Sequence, residues 1–298
     1  MTTSKGTLFD PQLVTELMNK AKGKSSLAKL SKQVPIPFSG RKEFTFTMDS
    51  DIDIVAENGK KTHGGVSLAP ITMVPIKVEY GARVSDEFMY ASEEEKIDIM
   101  KPFIEGYAKK LARGLDIMAM HGLNPRSRAA STVINGNHFD AKVTQTVEFD
   151  STNPDANIEA AVALIQGSEG EVTGTAMSSE FSSALAKMKN SANERLFPEL
   201  AWGANPDSIN GLTLDINPTV AVGDVDVSIV GDFANAFQWG YAKQIPLKVI
   251  EYGDPDNSGN DLQGYNQVYL RSETYLGWGI MDAASFARVI KPATGGGE

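Results

Sequence analysis

From Ser92 to Gly122 the apolar residues Ile97, Met100, Ile104, Tyr107, Leu111, Leu115 and Met118 recur every three or four positions, which predicts one long helix with a continuous apolar face. Ser92 and Glu95 are spaced as a capping box, Glu93 and Glu94 suit the positive end of the helix dipole, and Gly122 supplies the stop. Pro102, Gly106 and Gly114 weaken the rod from inside and mark where it could bend or straighten. A helix of this length needs outside support, so it is expected to act as a spine on which two parts of the molecule pack.

Between Glu43 and Asp86 the period falls to two. FTFTM and DIDIVA alternate, ITMVPIKVEYGARV follows, and Asn58-Gly59 marks a turn, so the segment reads as a long hairpin with a polar tip from Glu57 to Pro70. An isolated ribbon of this kind is marginal in water and must lie on something, either its own sheet or a neighbouring molecule.

Upstream, residues 1–43 read as an arm. Asp10 caps a short amphipathic piece, PQLVTELMNKAK, and a Lys/Ser-rich stretch and VPIPFSG follow. Residues 123–263 alternate between helix and strand patterns. Asn153-Pro154 opens a helix with Ile158, Val162 and Ile165 on one face, and Ser178 or Ser179 opens another with Phe181, Leu185 and Met188. EVTGTAM, LTLDI, VDVSIV and IPLKVIEY read as strands, NQVYLRSETYLGWGIM as two more, and DAASFARVIK is expected to return to the spine. Residues 293–298, ATGGGE, read as a flexible tail.

Composition narrows the picture. The chain has 298 residues, enough for two subdomains, and no apolar run long enough to span a bilayer. MTTSKGTLFD lacks the apolar segment of a secretory signal, and the absence of cysteine removes disulfides and thiolate sites and fits a reducing cytoplasm. A net charge of -10 argues against gripping nucleic acid over a broad surface without excluding a protein that encloses it. The basic residues Lys5, Lys20, Lys22, Lys24, Lys29, Lys32, Arg41 and Lys42 make the arm a local exception.

Catalytic patterns are missing. No phosphate-binding loop, zinc-protease helix or complete nucleophile elbow occurs, and His63, His121 and His138 fall in different elements, where capping and solvation account for them. GDPDNSGND places Asp254, Asp256, Ser258 and Gly259 as at the start of a calcium loop, but Tyr265 stands where the bidentate glutamate belongs, so a solvated loop is expected. No catalytic residue, metal or cofactor is expected.

Taken in order, the segments resemble the major capsid proteins of tailed bacteriophages with the Hong Kong 97-like fold. Val84-Ser85-Asp86-Glu87 leading to a helix that ends Leu115-Asp116-Ile117-Met118-Ala119-Met120-His121-Gly122 looks like that family's strand and spine. Met177-Ser178-Ser179, Leu185 to Asn190, Arg195-Leu196-Phe197 and Asn210-Gly211-Leu212 are similar to its axial-domain series, and Gly231-Asp232-Phe233 and Ala284-Ser285-Phe286 to its closing segments. The resemblance implies an α+β fold with an N-terminal arm (1–43), an extended β-hairpin loop (44–80), a peripheral domain with the spine helix (81–122 and 264–292) and an axial mixed α/β domain (123–263). It implies a structural protein and no enzyme, which assembles with itself into hexamers and pentamers of an icosahedral shell around double-stranded DNA, in the virion, after assembly in the host bacterial cytoplasm. Portal, scaffold and decoration proteins are the expected further partners, without membrane or sequence-specific DNA contacts. The loop-tip residues Glu57, Asn58, Gly59, Lys60, Lys61 and His63 become candidate contacts with a neighbouring subunit, and Pro102, Gly106 and Gly114 candidate flex points during shell maturation. The arm begins almost at Met1, so a separate scaffold protein, or none, is expected, and a covalent link from Lys60 or Lys61 is not. Two rivals stand beside this reading: an encapsulin-like compartment with the same fold, and a hydrolase or ligand-binding domain with unusual appendages.

Overall fold

The computed structural model describes residues 24–48, 50–87 and 93–292. The helix expected within residues 11–22, the Ser92 cap and the tail 293–298 lie outside them.

The chain enters as a strap. Helix α1 (Ser26–Leu30) buries Leu27 and Leu30, strand β1 (Lys32–Gln33) follows, and Ile36 is buried after it. The ribbon comes next: β2 (Arg41–Met48) pairs antiparallel with β3 (Val66–Met73), Arg41 opposite Met73 and Met48 opposite Val66. DIDIVA, expected to be a strand, belongs to the irregular connection instead and joins no ladder among the described residues. The expected single run through ITMVPIKVEYGARV is also divided. It breaks at Val74-Pro75, where proline has no donor for a ladder, and β4 (Ile76–Ser85) joins a different sheet.

The spine, α2, runs from Glu93 to His121 without interruption at Pro102, about 43 Å at 1.5 Å per residue. Gly122 ends it in a left-handed conformation (φ +67°), its N–H donating to Met118 O at 3.0 Å. A side chain there would also strike the His138 ring, 2.5 Å from an added Cβ.

Beyond the spine come α3 (Phe139–Lys142), β5 (Thr146–Glu148), α4 (Pro154–Gly167), β6 (Gly174–Met177), α5 (Ser179–Lys187), β7 (Ser208–Ile209), β8 (Leu212–Ile216) and β9 (Asp226–Gly231). Ser178 caps α5 by accepting from Phe181 N at 3.2 Å. Asn153 does not cap α4; its amide donates to Asp150 Oδ2 at 2.9 Å. Two long strands, β10 (Phe237–Ile250) and β11 (Gln267–Ile280), then form a hairpin, and β12 (Phe286–Ile290) closes the chain. NQVYLRSETYLGWGIM is therefore one strand, not two, because its polar centre is paired: Thr274 accepts from Tyr107 on the spine at 2.7 Å.

Strand order is β1-β10-β11-β4 in one sheet and β5-β12-β9-β6-β8-β7 in another. Sheet membership therefore crosses the expected segment boundaries. β11 lies between β10 and β4, while β12 sits between β5 and β9 and meets the spine through Phe286. Leu111, Leu115 and Met118 of the spine meet Trp239, Leu276 and Trp278 from the first sheet and Ile229 and Phe286 from the second, in one core with Leu27 of the strap. A second core fills the space between the larger sheet and α4 and α5, around Ile165, Phe181, Leu185 and Val230. Among the described residues, no helix is long and apolar enough to cross a membrane.

Candidate assembly interface

The alternation of β2 and β3 sorts the ribbon into two faces. One register face carries Phe44 opposite Pro70 and Met48 opposite Val66; the other carries Glu43 opposite Ile71. The apolar face has no cover: Phe44 is 60% exposed, Met48 75% and Val66 57%, and beyond them Ile52 and Ile54 are 100% and 97% exposed. Apolar groups in this number, side by side and in water, mark a contact surface.

Every expected contact residue at the tip, Glu57, Asn58, Gly59, Lys60, Lys61 and His63, is exposed in the connection between β2 and β3. Asn58 takes a left-handed conformation and Gly59 N donates to Ala56 O at 2.8 Å, which turns the chain. A further uncovered anchor, which the sequence did not single out, is Trp202 in the turn 198–203 of the larger-sheet unit. It is 98% exposed at φ +62°, with the Arg195 guanidinium 5.9 Å from its ring centre.

The candidate flex points differ in surroundings. Gly106 is exposed and an added Cβ there would meet nothing within 4 Å, whereas Gly114 is buried 3.5 Å (from an added Cβ) beneath Pro125.

Two buried polar centres hold the pieces in place, and sequence reasoning missed both. The first is Asp116, wholly buried on the spine. Oδ1 accepts from Ser25 Oγ (2.6 Å) and Leu27 N (3.1 Å), and Oδ2 from Ser26 N (2.9 Å) and Thr219 Oγ1 (2.7 Å). It thereby ties the strap and the 217–219 turn to the helix. Burial pushes its carboxyl up to about 6, against the pull of those donors.

The second joins the end of the spine to α3 and the larger sheet. His121 Nδ1 lies 3.0 Å from Asp140 Oδ2 and Nε2 lies 3.0 Å from the Thr219 carbonyl. Both partners are acceptors, so both ring nitrogens donate and the imidazole is a cation. Burial lowers its pKa, but the Asp140 bond and the charges of Asp140 and Asp226 outweigh this and raise it. Arg288 Nη2 lies 2.8 Å from Asp226 Oδ1 and 3.0 Å from Asp140 Oδ1. Burial and the neighbouring Asp140 push Asp226 up to about 7, despite Arg288. His121, Asp140 and Asp226 are close enough to share a metal ion, their ligand atoms lying within 4.8 Å of one another, but Arg288 already brings a fixed positive charge to both carboxylates. The expected simple capping role of His121 thus gives way to a buried ion-pair network.

The acidic loop is not simply solvated as expected. Asp254 Oδ1 (2.7 Å), Asp256 Oδ1 (2.6 Å), Ser258 Oγ (2.6 Å) and Asn260 O (2.8 Å) converge on Arg83 Nη2. These are the first, third, fifth and seventh positions of a calcium loop. A guanidinium nitrogen from β4 stands where the ion would, and it pins the β10–β11 connection to β4.

A shell-forming protein is the class that a spine, two sheets and an uncovered ribbon define, here with the Hong Kong 97-like capsid fold. The phage capsid family's sequence pattern matches residues 5–290. A solved structure from Mycobacterium phage Ogopogo is similar at a TM-score of 0.77 with 30% identity, covering 90% of this chain and 92% of that one. A structure from Gordonia phage Cozz gives 0.74 with 24% identity over 90% and 87%, and the capsid of a native GTA particle gives 0.64 with 15% identity over 91% of each chain. No curated protein matches the sequence. The chain belongs to the phage capsid family and is a major capsid protein, the subunit of an icosahedral shell.

Proposed function

We propose that this capsid protein forms hexamers and pentamers whose shell encloses the double-stranded DNA genome of a tailed bacteriophage, assembled in the host cytoplasm without enzymatic activity of its own. In this reading the larger sheet with α4 and α5 forms the axial part, which turns Trp202 toward its counterparts. The spine with the four-stranded sheet forms the peripheral part, and the ribbon lies across a neighbouring subunit, with its tip from Glu57 to His63 in the contact. Portal and scaffold or decoration proteins complete the particle, and bending at Pro102, Gly106 and Gly114 accompanies maturation.

The observation that carries this reading is the bare apolar face of Phe44, Met48 and Val66. At about 25 cal/mol per Å², covering such a face from a neighbour stabilises the assembly by several kcal/mol per subunit. The chain has no cysteine, so M48C introduces a unique thiol. A photoactivatable cross-linker on it, in assembled shells, is expected to join two chains; products confined within one chain would refute the ribbon's place on a neighbour.

A further inference from the structure

The protein is acidic overall, yet the solvent side of its spine is basic. Lys109, Lys110 and Arg113 share one side of α2 with the exposed Pro102 and Gly106, and Lys101 lies further toward its start. The turn after the helix adds to them. An added Cβ at Gly114 would lie 3.5 Å from Pro125, so the turn after the helix packs on the spine at Pro125, and Arg126 and Arg128 follow that contact in the chain. Lys109, Lys110, Arg126 and Arg128 are exposed, and Arg113 is half-buried. Among the described residues none of them has an ion-pair partner, whereas Lys29, Lys77, Arg83, Arg271, Arg288 and Lys291 all do. Glu105, one turn before Lys109, pairs with none of them.

We propose that this stripe, Lys109, Lys110, Arg113, Arg126 and Arg128, is the surface that the capsid protein turns toward the phosphate backbone of enclosed double-stranded DNA. The inference rests on the proposed enclosure of DNA and adds which face of the subunit meets it. Charge complementarity supports it: these cations have no ion-pair partner among the described residues of a chain of net charge -10. Surface character supports it too. A protein partner needs apolar anchors, and the large exposed apolar side chains lie on the ribbon and elsewhere, none of them on this stripe. The stripe also presents no exposed aromatic for stacking on bases, so it meets phosphate and carries no sequence preference. Binding of this kind is weak and salt-sensitive, which suits a genome that must be packed and released.

The test uses the full chain with a fluorescent DNA duplex at rising salt, for the wild type and for K109Q/K110Q/R113Q/R126Q/R128Q. The control, K32Q/K187Q/K189Q/K243Q/K248Q, removes the same charge elsewhere. Wild type and control are expected to bind any duplex sequence alike. The stripe variant is expected to bind at least about tenfold more weakly at about 50 mM salt, with a log–log salt slope shallower by up to about 4.5, at about 0.9 for each phosphate that is no longer neutralised. Equal weakening in the control, no wild-type binding at low salt, or displacement of the duplex by a polyglutamate peptide of matched charge better than by unlabelled duplex would overturn the proposal. Electron microscopy and nuclease-protected DNA in particles from each variant separate this from the enclosure reading. Wild-type shells empty of DNA would sink both, filled shells that keep their DNA alike in wild type and stripe variant would overturn this inference alone, and filled shells that lose DNA retention only in the stripe variant support both.

Discussion

At the scale of single residues, Asp116 and the His121–Asp140–Asp226–Arg288 network decide how the spine is held. Asp116→Ala would leave buried donors of Ser25, Ser26, Leu27 and Thr219 without an acceptor, and is expected to cost about 3–5 kcal/mol. Urea unfolding measures the loss, and limited proteolysis should show early cutting near the strap. The pH dependence has a definite sign. Asp116 and Asp226 have folded pKa values, about 6 and about 7, above the ordinary 3.8, and that of His121 is raised from 6.5. Each group binds its proton more tightly when folded, so each contributes stability at acid pH that is lost as pH rises through its folded value. Asp140 is held below its ordinary value by His121 and Arg288 although burial opposes this, so its contribution is lost only as pH falls below about 3.8. The unfolding midpoint is therefore expected to be higher at about pH 5 than at about pH 8, and H121Q/D226N to flatten the difference. A midpoint that rises between those pH values would contradict the assignment. None of this was visible in the sequence, because Asp116 meets partners 89 to 103 residues away and a lone carboxylate on a helix carries no mark of what will reach it.

At the scale of elements, periodicity is informative wherever one face is buried by its own chain. The spine, α4, α5, β8 and β9 fall where three-to-four or alternating patterns put them, since the same burial that stabilises each element shaped its pattern. Periodicity misleads where partner and pattern part company. Ile52 and Ile54 alternate like a strand but join no sheet among the described residues, and β11 hides a polar stretch that its contacts satisfy. The strap shows a third case. Residues 1–43 have the pattern of an arm without a body of its own, yet Leu27, Leu30 and Ile36 are buried against the rest of the chain, and Val34 N donates to Trp239 O at 2.8 Å. Gly240 makes that approach possible, because an added Cβ would lie 1.7 Å from Val34 O. Gly240→Ala is expected to expel the strap from the sheet at a cost of about 2–3 kcal/mol, read as faster amide exchange around residues 32–36. Arg83 sets a parallel expectation for the acidic loop. Calcium added to the wild type should leave its melting temperature unchanged, since Nη2 occupies the convergence of oxygens; a rise would show that the ion displaces the guanidinium.

At the scale of the whole molecule, the subunit is complete in its core and incomplete at its edges. Spine, strap and both sheets close around shared apolar residues, so the body folds on internal contacts. The ribbon face and Trp202 remain uncovered, and in the proposed reading their partners come from neighbouring subunits of the shell. Trp202→Ala is expected to leave unfolding within about 0.5 kcal/mol of wild type while reducing the yield of closed shells in electron micrographs. The most direct test replaces the ribbon's bare apolar groups together, as F44S/M48S/V66S, and follows both proteins by sedimentation velocity under assembly conditions. The wild type should sediment as shells, and the variant as a small species with the same unfolding midpoint; a variant that builds shells as readily as the wild type would contradict the claim that this face joins the subunits.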